Sequence, residues 1–248
     1  MIVAVFALLG LIAGGAINVL ADDLPARIRP RRPHCPQCGH VYGPAGWLAI
    51  GRKIQGGACP QCGLVTRRRA LLVELGTAML YAVLPLLITP PLDLVIYSFY
   101  IAVLILIIVI DVEHRLVLHV VTLPTMVIAL FASYPLEDNT IRLAVVGGAV
   151  GFILFFLAYL LGQRLFGPGA LGFGDVTLAT TMGLMLGFHR IFFALILGIL
   201  LAGLWSLVGL LTGRISRRSY FAYGPFLAVA GIVMIIWGDR LYAWAAGA

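Results

Sequence analysis

Gly167-Pro168-Gly169-Ala170-Leu171-Gly172-Phe173-Gly174-Asp175 sets a carboxylate behind a run of glycines and directly ahead of an apolar segment that begins at Val176. Glycine has no Cβ, so such a run can lie close to another chain. The aspartate has two readings. It is a favoured helix N-cap, with Val176-Thr177-Leu178 as the first turn. An ionisable group at the edge of an apolar segment is also a functional-site candidate by default. The choice turns on whether that segment crosses a membrane and whether a second acid can reach the first.

The composition answers the first point. Of 248 residues 62% are apolar and 11% charged, and the mean hydropathy is +1.06, far from the balance of a soluble domain. This is the profile of an all-α polytopic membrane protein. A net charge of +7 would suggest nucleic acid in a soluble chain. In a membrane chain basic residues act first as topology signals, and no nucleic-acid partner is expected.

A span needs about 20 apolar residues. By that measure the sequence predicts about eight transmembrane helices, at residues 1–20, 72–89, 92–110, 117–134, 141–162, 175–188, 191–212 and 222–241. The first, apolar apart from Asn18, has neither a basic leading region nor a small-residue cleavage site, and is expected to be retained. The expected organisation is a first helix (1–20), a cytoplasmic cysteine loop (21–71) and a membrane core (72–248).

Lys and Arg are retained on the cytoplasmic side. With the first loop inside, that side holds Arg27, Arg29, Arg31, Arg32, Arg52, Lys53, Arg67, Arg68, Arg69, Arg115, Arg164, Arg214, Arg217 and Arg218, against Arg142, Arg190 and Arg240 outside. Both termini are therefore expected on the non-cytoplasmic side.

That topology selects the second acid. The third span runs inward through Ile101–Ile110 and ends at Asp111. The next two make one excursion before the glycine run leads to Asp175, so both carboxylates fall at the cytoplasmic edge. Taken singly, Asp111 is a solvated helix end beside Glu113, His114 and Arg115, and Asp175 is a cap. Two carboxylates held close share one proton, so that one serves as base toward water and the other as acid toward a carbonyl, which is aspartic protease chemistry. The glycines suit an extended peptide substrate. Asp93, after Pro90-Pro91, is expected to be a helix cap, and Glu137 and Asp138 solvated loop residues.

The first loop carries all four cysteines, as Cys35-Pro36-Gln37-Cys38-Gly39 and Cys59-Pro60-Gln61-Cys62-Gly63, with 20 residues between the pairs. Paired Cys-x-x-Cys turns at this separation match a structural Zn²⁺ site, and four thiolates leave no open position for a catalytic water. Gly39 and Gly63 are expected at positive φ, aiming backbone N–H groups at sulfur, with His34 and His40 as bystanders. Small residues at four-residue spacing (Gly147 and Gly151; Ala194, Gly198 and Ala202; Gly209 and Gly213) are expected to be helix-packing faces.

Gly172-Phe173-Gly174-Asp175 resembles the GxGD signature of intramembrane aspartyl proteases. The chain also has the paired CPQC motifs, Val73-Glu74-Leu75, Ile110-Asp111, Thr122-Leu123-Pro124 and Tyr223-Gly224-Pro225-Phe226-Leu227-Ala228. In this order it resembles the bacterial type IV prepilin leader peptidases over nearly its whole length. The resemblance implies that Asp111 and Asp175 are catalytic, with Gly172 and Gly174 as motif support. It implies removal of the basic leader from prepilins or pseudopilins at the cytoplasmic face of the inner membrane, and many members then N-methylate the product using S-adenosylmethionine. Leu118-His119-Val120-Val121 replaces a usual Pro-Asp segment, Thr177 a usual lysine, and Asp22-Asp23 stand near an expected arginine. The alternative from the residues alone is a proton- or metal-coupled transporter using the two aspartates as a relay. Midplane acids and an inverted pair of broken helices would mark that class, and neither is apparent.

Overall fold

The computed structural model describes residues 1–136, 139–167, 171–213 and 223–246. Among them the regular structure is helical: α1 (Ile2–Asp23), α2 (Ala49–Ile54), α3 (Arg68–Leu87), α4 (Pro91–His114), α5 (His119–Ala132), α6 (Ile141–Phe166), α7 (Phe173–Leu211) and α8 (Gly224–Ala246). Glu137, Asp138, Pro168, Gly169, Ala170, Arg214, Arg217 and Arg218 lie outside the described residues. The chain divides into two compact units, Met1–Leu106 and Ile107–Ala248.

Five of the described helices are long and apolar enough to cross a membrane, and α5 and the Gly224–Gly238 part of α8 are shorter apolar helices. The eight expected spans map onto seven helices because α7 runs for 39 residues and contains two of them. It breaks at Gly187 (φ 75°, ψ 176°), a left-handed conformation that glycine adopts without a steric penalty.

The neighbours of each half show that the chain turns back there. Before the break, Ala179 and Gly183 lie against Gly151 and Gly147 of α6, and Gly187 meets Asn139 and Leu143. Beyond it Arg190 lies against Gly238, while Gly198 lies against Leu227 and Trp205 against Phe226 near the start of α8. The expected spans at 175–188 and 191–212 are thus two arms of one hairpin.

Breaking a helix frees its last carbonyls, which are expensive to leave unpaired in lipid. Asn139, fully buried ahead of α6, donates its side-chain amide to Leu184 O and Met185 O, both at 3.0 Å. A Cβ on Gly187 would strike the Asn139 amide oxygen. The glycine faces of α6 and α7 are close enough that a Cβ on Gly147 or Gly183 would strike the opposing backbone carbonyl. Gly213 departs from the packing expectation. It follows the C-cap Thr212 at φ 68° and terminates α7.

In the first unit α1 packs on α3 through Gly10 and Gly14, which abut the Thr77–Ala78 and Glu74 backbone. The loop between them is tied to the helices by acids. Glu74, fully buried, accepts the Ala49 N–H at 2.6 Å and the Ile50 N–H at 3.0 Å, pairing two of the four free donors that open α2. Asp22 pairs with Arg67 and Arg69 at the far end of the loop. Asp23 accepts the Arg31 N–H at 3.0 Å and faces His34. Asp93 is not the cap of α4: Pro91 opens the helix and Asp93 lies in its first turn.

Gly187→Ala should lower the stability of the detergent-solubilised protein by about 1 to 3 kcal/mol, from positive φ and the clash with Asn139. Gly203→Ala, in α7 with nothing within 4 Å of the added carbon, should stabilise by up to about 1 kcal/mol. Thermal unfolding midpoints of the two variants check the contrast.

Candidate active site and metal centre

Asp111 lies in the last turn of α4 and is 4% exposed, so it is buried and not a solvated helix end. The helix ends because Arg115 turns left-handed at φ 55°, with its N–H still donating to Asp111 O at 2.9 Å. The Asp111 carboxylate accepts the backbone N–H of Gly224, the first residue of α8. A side chain there would not fit, since a Cβ on Gly224 would stand 2.5 Å from Asp111 Oδ2.

Asp175 lies in the first turn of α7, where Gly172 is the N-cap, so Asp175 is not the expected cap but stands three residues inside the helix from it. Its Oδ2 accepts the Gly172 N–H at 3.3 Å, the reciprocal arm of a capping box. The N-cap has no side chain to return the bond. Gly174 is required by contact: a Cβ there would lie 2.8 Å from Val117 Cβ, in the link between α4 and α5. Phe173 is wedged between Tyr159 and His119, at ring separations of 6.0 and 6.1 Å.

Val117 joins the two sides, since Gly174 and Gly224 both pack on it. Asp111 and Asp175 accordingly come within electrostatic reach of each other, from the end of one helix and the start of another. Tyr223, immediately before Gly224, is within electrostatic reach of Asp175 and packs its ring on Phe155 at 5.8 Å. Tyr223, Gly224 and Val117 were not recognised as site residues in the sequence. The Gly-Pro step at 224–225 was a readable helix start; the proximity to Asp111 and Asp175, far away in the sequence, was not.

The four cysteines form a second cluster. Their sulfurs all lie within 4.8 Å of one another, with Cys35–Cys62 and Cys38–Cys59 both at 3.6 Å. A tetrahedral Zn²⁺ with Zn–S near 2.3 Å holds its sulfurs about 3.8 Å apart, so the donor set fits the ion. The two halves repeat: Cys35 N–H donates to His40 O at 2.8 Å and Cys59 N–H to Leu64 O at 2.9 Å, with Gly39 and Gly63 at φ 73° and 72°.

The positive φ is as expected, but the two glycine N–H groups donate to the Cys35 and Cys59 carbonyls. The N–H groups that reach sulfur come from Gln37 and Cys38 on Cys35, Gln61 and Cys62 on Cys59, His40 on Cys38, and Leu64 on Cys62. His34 engages Asp23, and His40 meets the Tyr42 ring edge-to-face.

Burial opposes the Cys35 thiolate, yet the N–H groups of Cys38 and Gln37 and the neighbouring thiols bring its pKa down to about 6. The Leu64 N–H favours the Cys62 thiolate, but burial and the surrounding cysteine sulfurs outweigh it and push the pKa up to about 12. Four thiols this close cannot all ionise alone, and a divalent cation removes the conflict.

Residues 98–207 match the type IV leader peptidase family, and residues 8–88 match the bacterial peptidase A24 N-terminal domain. The chain is 28% identical to a prepilin leader peptidase/N-methyltransferase of Aeromonas salmonicida, covering 90% of this chain and 77% of the relative. It is 27% identical to one of Bacillus subtilis, with 95% and 94% covered, and 25% identical to one of Pseudomonas aeruginosa, with 94% and 90% covered. No solved structure matches.

The purified protein should contain one zinc per chain by elemental analysis, with Zn–S distances near 2.3 Å by X-ray absorption. Cys35→Ser should lose the metal. Acidification should release it as protons compete for the thiolates, and loss should expose the 24–67 loop to limited proteolysis.

Proposed function

The chain belongs to the type IV leader peptidase family, and on that premise we propose that it is a membrane aspartyl endopeptidase whose dyad is Asp111 and Asp175. Its substrates are prepilins or related pseudopilins, cut between a basic leader and the apolar helix that follows. The observation that carries the assignment is the approach of two carboxylates from separate helices, beside a backbone donor at Gly224.

Two carboxylates in reach of each other hold one proton between them. The ionised one takes a proton from water as the water oxygen attacks the scissile carbonyl carbon. The protonated one gives its proton to the carbonyl oxygen. The resulting diol collapses, the C–N bond breaks, and the leaving nitrogen takes a proton from the dyad. Gly172 leaves the approach to Asp175 free of a side chain, while Gly174 lets Val117 pack against the first turn of α7. The basic residues of the first loop support a cytoplasmic site, the side on which a basic leader is retained.

The cysteines serve folding: four thiolates would fill a zinc shell, leaving no place for a reacting water. The membrane core from residue 72 onward carries the proteolysis, and the 21–71 loop carries the metal. For the N-methyl transfer in the relatives' names, S-adenosylmethionine supplies an electrophilic methyl group when bound. The cleft lined by Asn18, Asp22, Tyr42 and Trp47 suits it in donor chemistry. Asn18 is 95% buried and its side-chain oxygen has no hydrogen-bond partner among the described residues, and the Trp47 indole is an aromatic surface suited to a purine. The relay reading gains nothing, because both acids stand at helix ends and not at mid-span.

Mass spectrometry of the N-terminus of a coexpressed prepilin tests both activities. Wild type should yield the shortened, methylated product. Asp111→Asn and Asp175→Asn should each leave the leader attached, with rates at least about 10³-fold down, while the protein accumulates in the membrane. Full processing by either variant overturns the dyad.

A further inference from the structure

Tyr223 is the polar group in the dyad wall that the two-carboxylate scheme does not use. Its hydroxyl is buried and has no hydrogen-bond partner among the described residues. A buried hydroxyl left unpaired costs stability, so its retention here calls for an account.

Its placement is well defined. The Tyr223 carbonyl accepts the N–H groups of Phe226 and Leu227 at 3.1 and 3.3 Å, fixing the backbone to the first turn of α8. Phe155, 6% exposed, backs the ring. The next residue gives its N–H to Asp111, while Tyr223 itself stands within reach of Asp175. One dipeptide therefore engages Asp111 through its second residue and lies within electrostatic reach of Asp175 through its first.

The chemistry lacks what a phenol supplies. Addition of water to the peptide carbonyl places growing negative charge on oxygen, and in the two-carboxylate scheme the protonated acid is the one donor that meets it. A phenol remains protonated at neutral pH and donates without exchanging roles with the acids. We infer that the Tyr223 hydroxyl donates a hydrogen bond to the scissile carbonyl oxygen as charge develops on it, making Tyr223 a third catalytic residue. The inference rests on the peptidase reading. It also explains the missing partner: the acceptor arrives with the substrate, and the stability forgone in the free protein is used in the transition state.

The test compares wild type, Tyr223→Phe, Phe155→Leu and Asp175→Asn in detergent micelles with a purified prepilin. Tyr223→Phe keeps the ring and removes only the hydroxyl. It should lower kcat about 10- to 1000-fold with KM within about threefold, and leave the unfolding midpoint unchanged or higher, because an unpaired buried group is gone. Phe155→Leu, which loosens the same wall but keeps the hydroxyl, should lower the midpoint and retain most of kcat. If wild type does not cleave, the peptidase reading itself fails. If wild type cleaves and Tyr223→Phe keeps kcat within twofold, or loses it only together with a lowered midpoint, the role assigned to Tyr223 is wrong.

Discussion

Two helix backbones touch where Gly147 and Gly151 of α6 meet Gly183 and Ala179 of α7, and the position of Asp175 depends on that contact. Lipid tails are as apolar as leucine, so no hydrophobic force drives one membrane helix onto another. Close van der Waals approach has to do so, and it requires small residues. At the Gly147–Gly183 crossing the space left by the missing Cβ atoms is filled by the opposing carbonyl. The crossing fixes α7 along α6, and α7 in turn brings its first turn to Val117. One methyl group at this crossing would move the helix that carries Asp175.

Polar groups inside the molecule hold the remaining joints, each in proportion to the backbone it has to satisfy. Asn139 pairs two carbonyls that the Gly187 break exposes. Glu74 pairs two amides that the short helix α2 cannot pair for itself. Asn18 bonds the Ala70 carbonyl in the first turn of α3. These contacts answer the rule that backbone donors and acceptors away from water must find partners. Tyr223 stands apart from them, since its buried hydroxyl has no hydrogen-bond partner among the described residues.

The hydrophobic runs made the apolar helices legible, and the Cys-x-x-Cys turns made the four-cysteine cluster legible, because both patterns are local. Span ends shifted by a few residues where polar residues continue a helix: α1 runs to Asp23, α3 begins at Arg68 and α4 reaches His114. The same effect put Asp175 in the third helical position and not at the cap, since Phe173 and Gly174 were counted as loop. Asn139 sat between two acids and a threonine, the composition of a solvated turn, and nothing local signalled that it would be fully buried against α7. Tyr223 was quoted only as part of a motif, because its relation to Asp175 is set by tertiary packing. Where the sequence encodes a period or a spacing it can be read directly; where it encodes a contact between distant turns it cannot.

The lengths of the helices around the dyad carry a last consequence for the reaction. Hydrolysis needs water, and the hydrocarbon core is about 30 Å thick. α5, which follows the Asp111 turn, has 14 residues and so spans about 21 Å at 1.5 Å per residue. The first arm of α7, from Phe173 to the break at Gly187, is about 20 Å long by the same measure. Neither can cross an unperturbed bilayer with its apolar length alone, so the bilayer thins locally or water and headgroups reach inward at their ends. Asp175 is at one such end, and the link after Asp111 leads into the other. Both carboxylates thus lie beside the ends of helices shorter than the hydrocarbon core is thick.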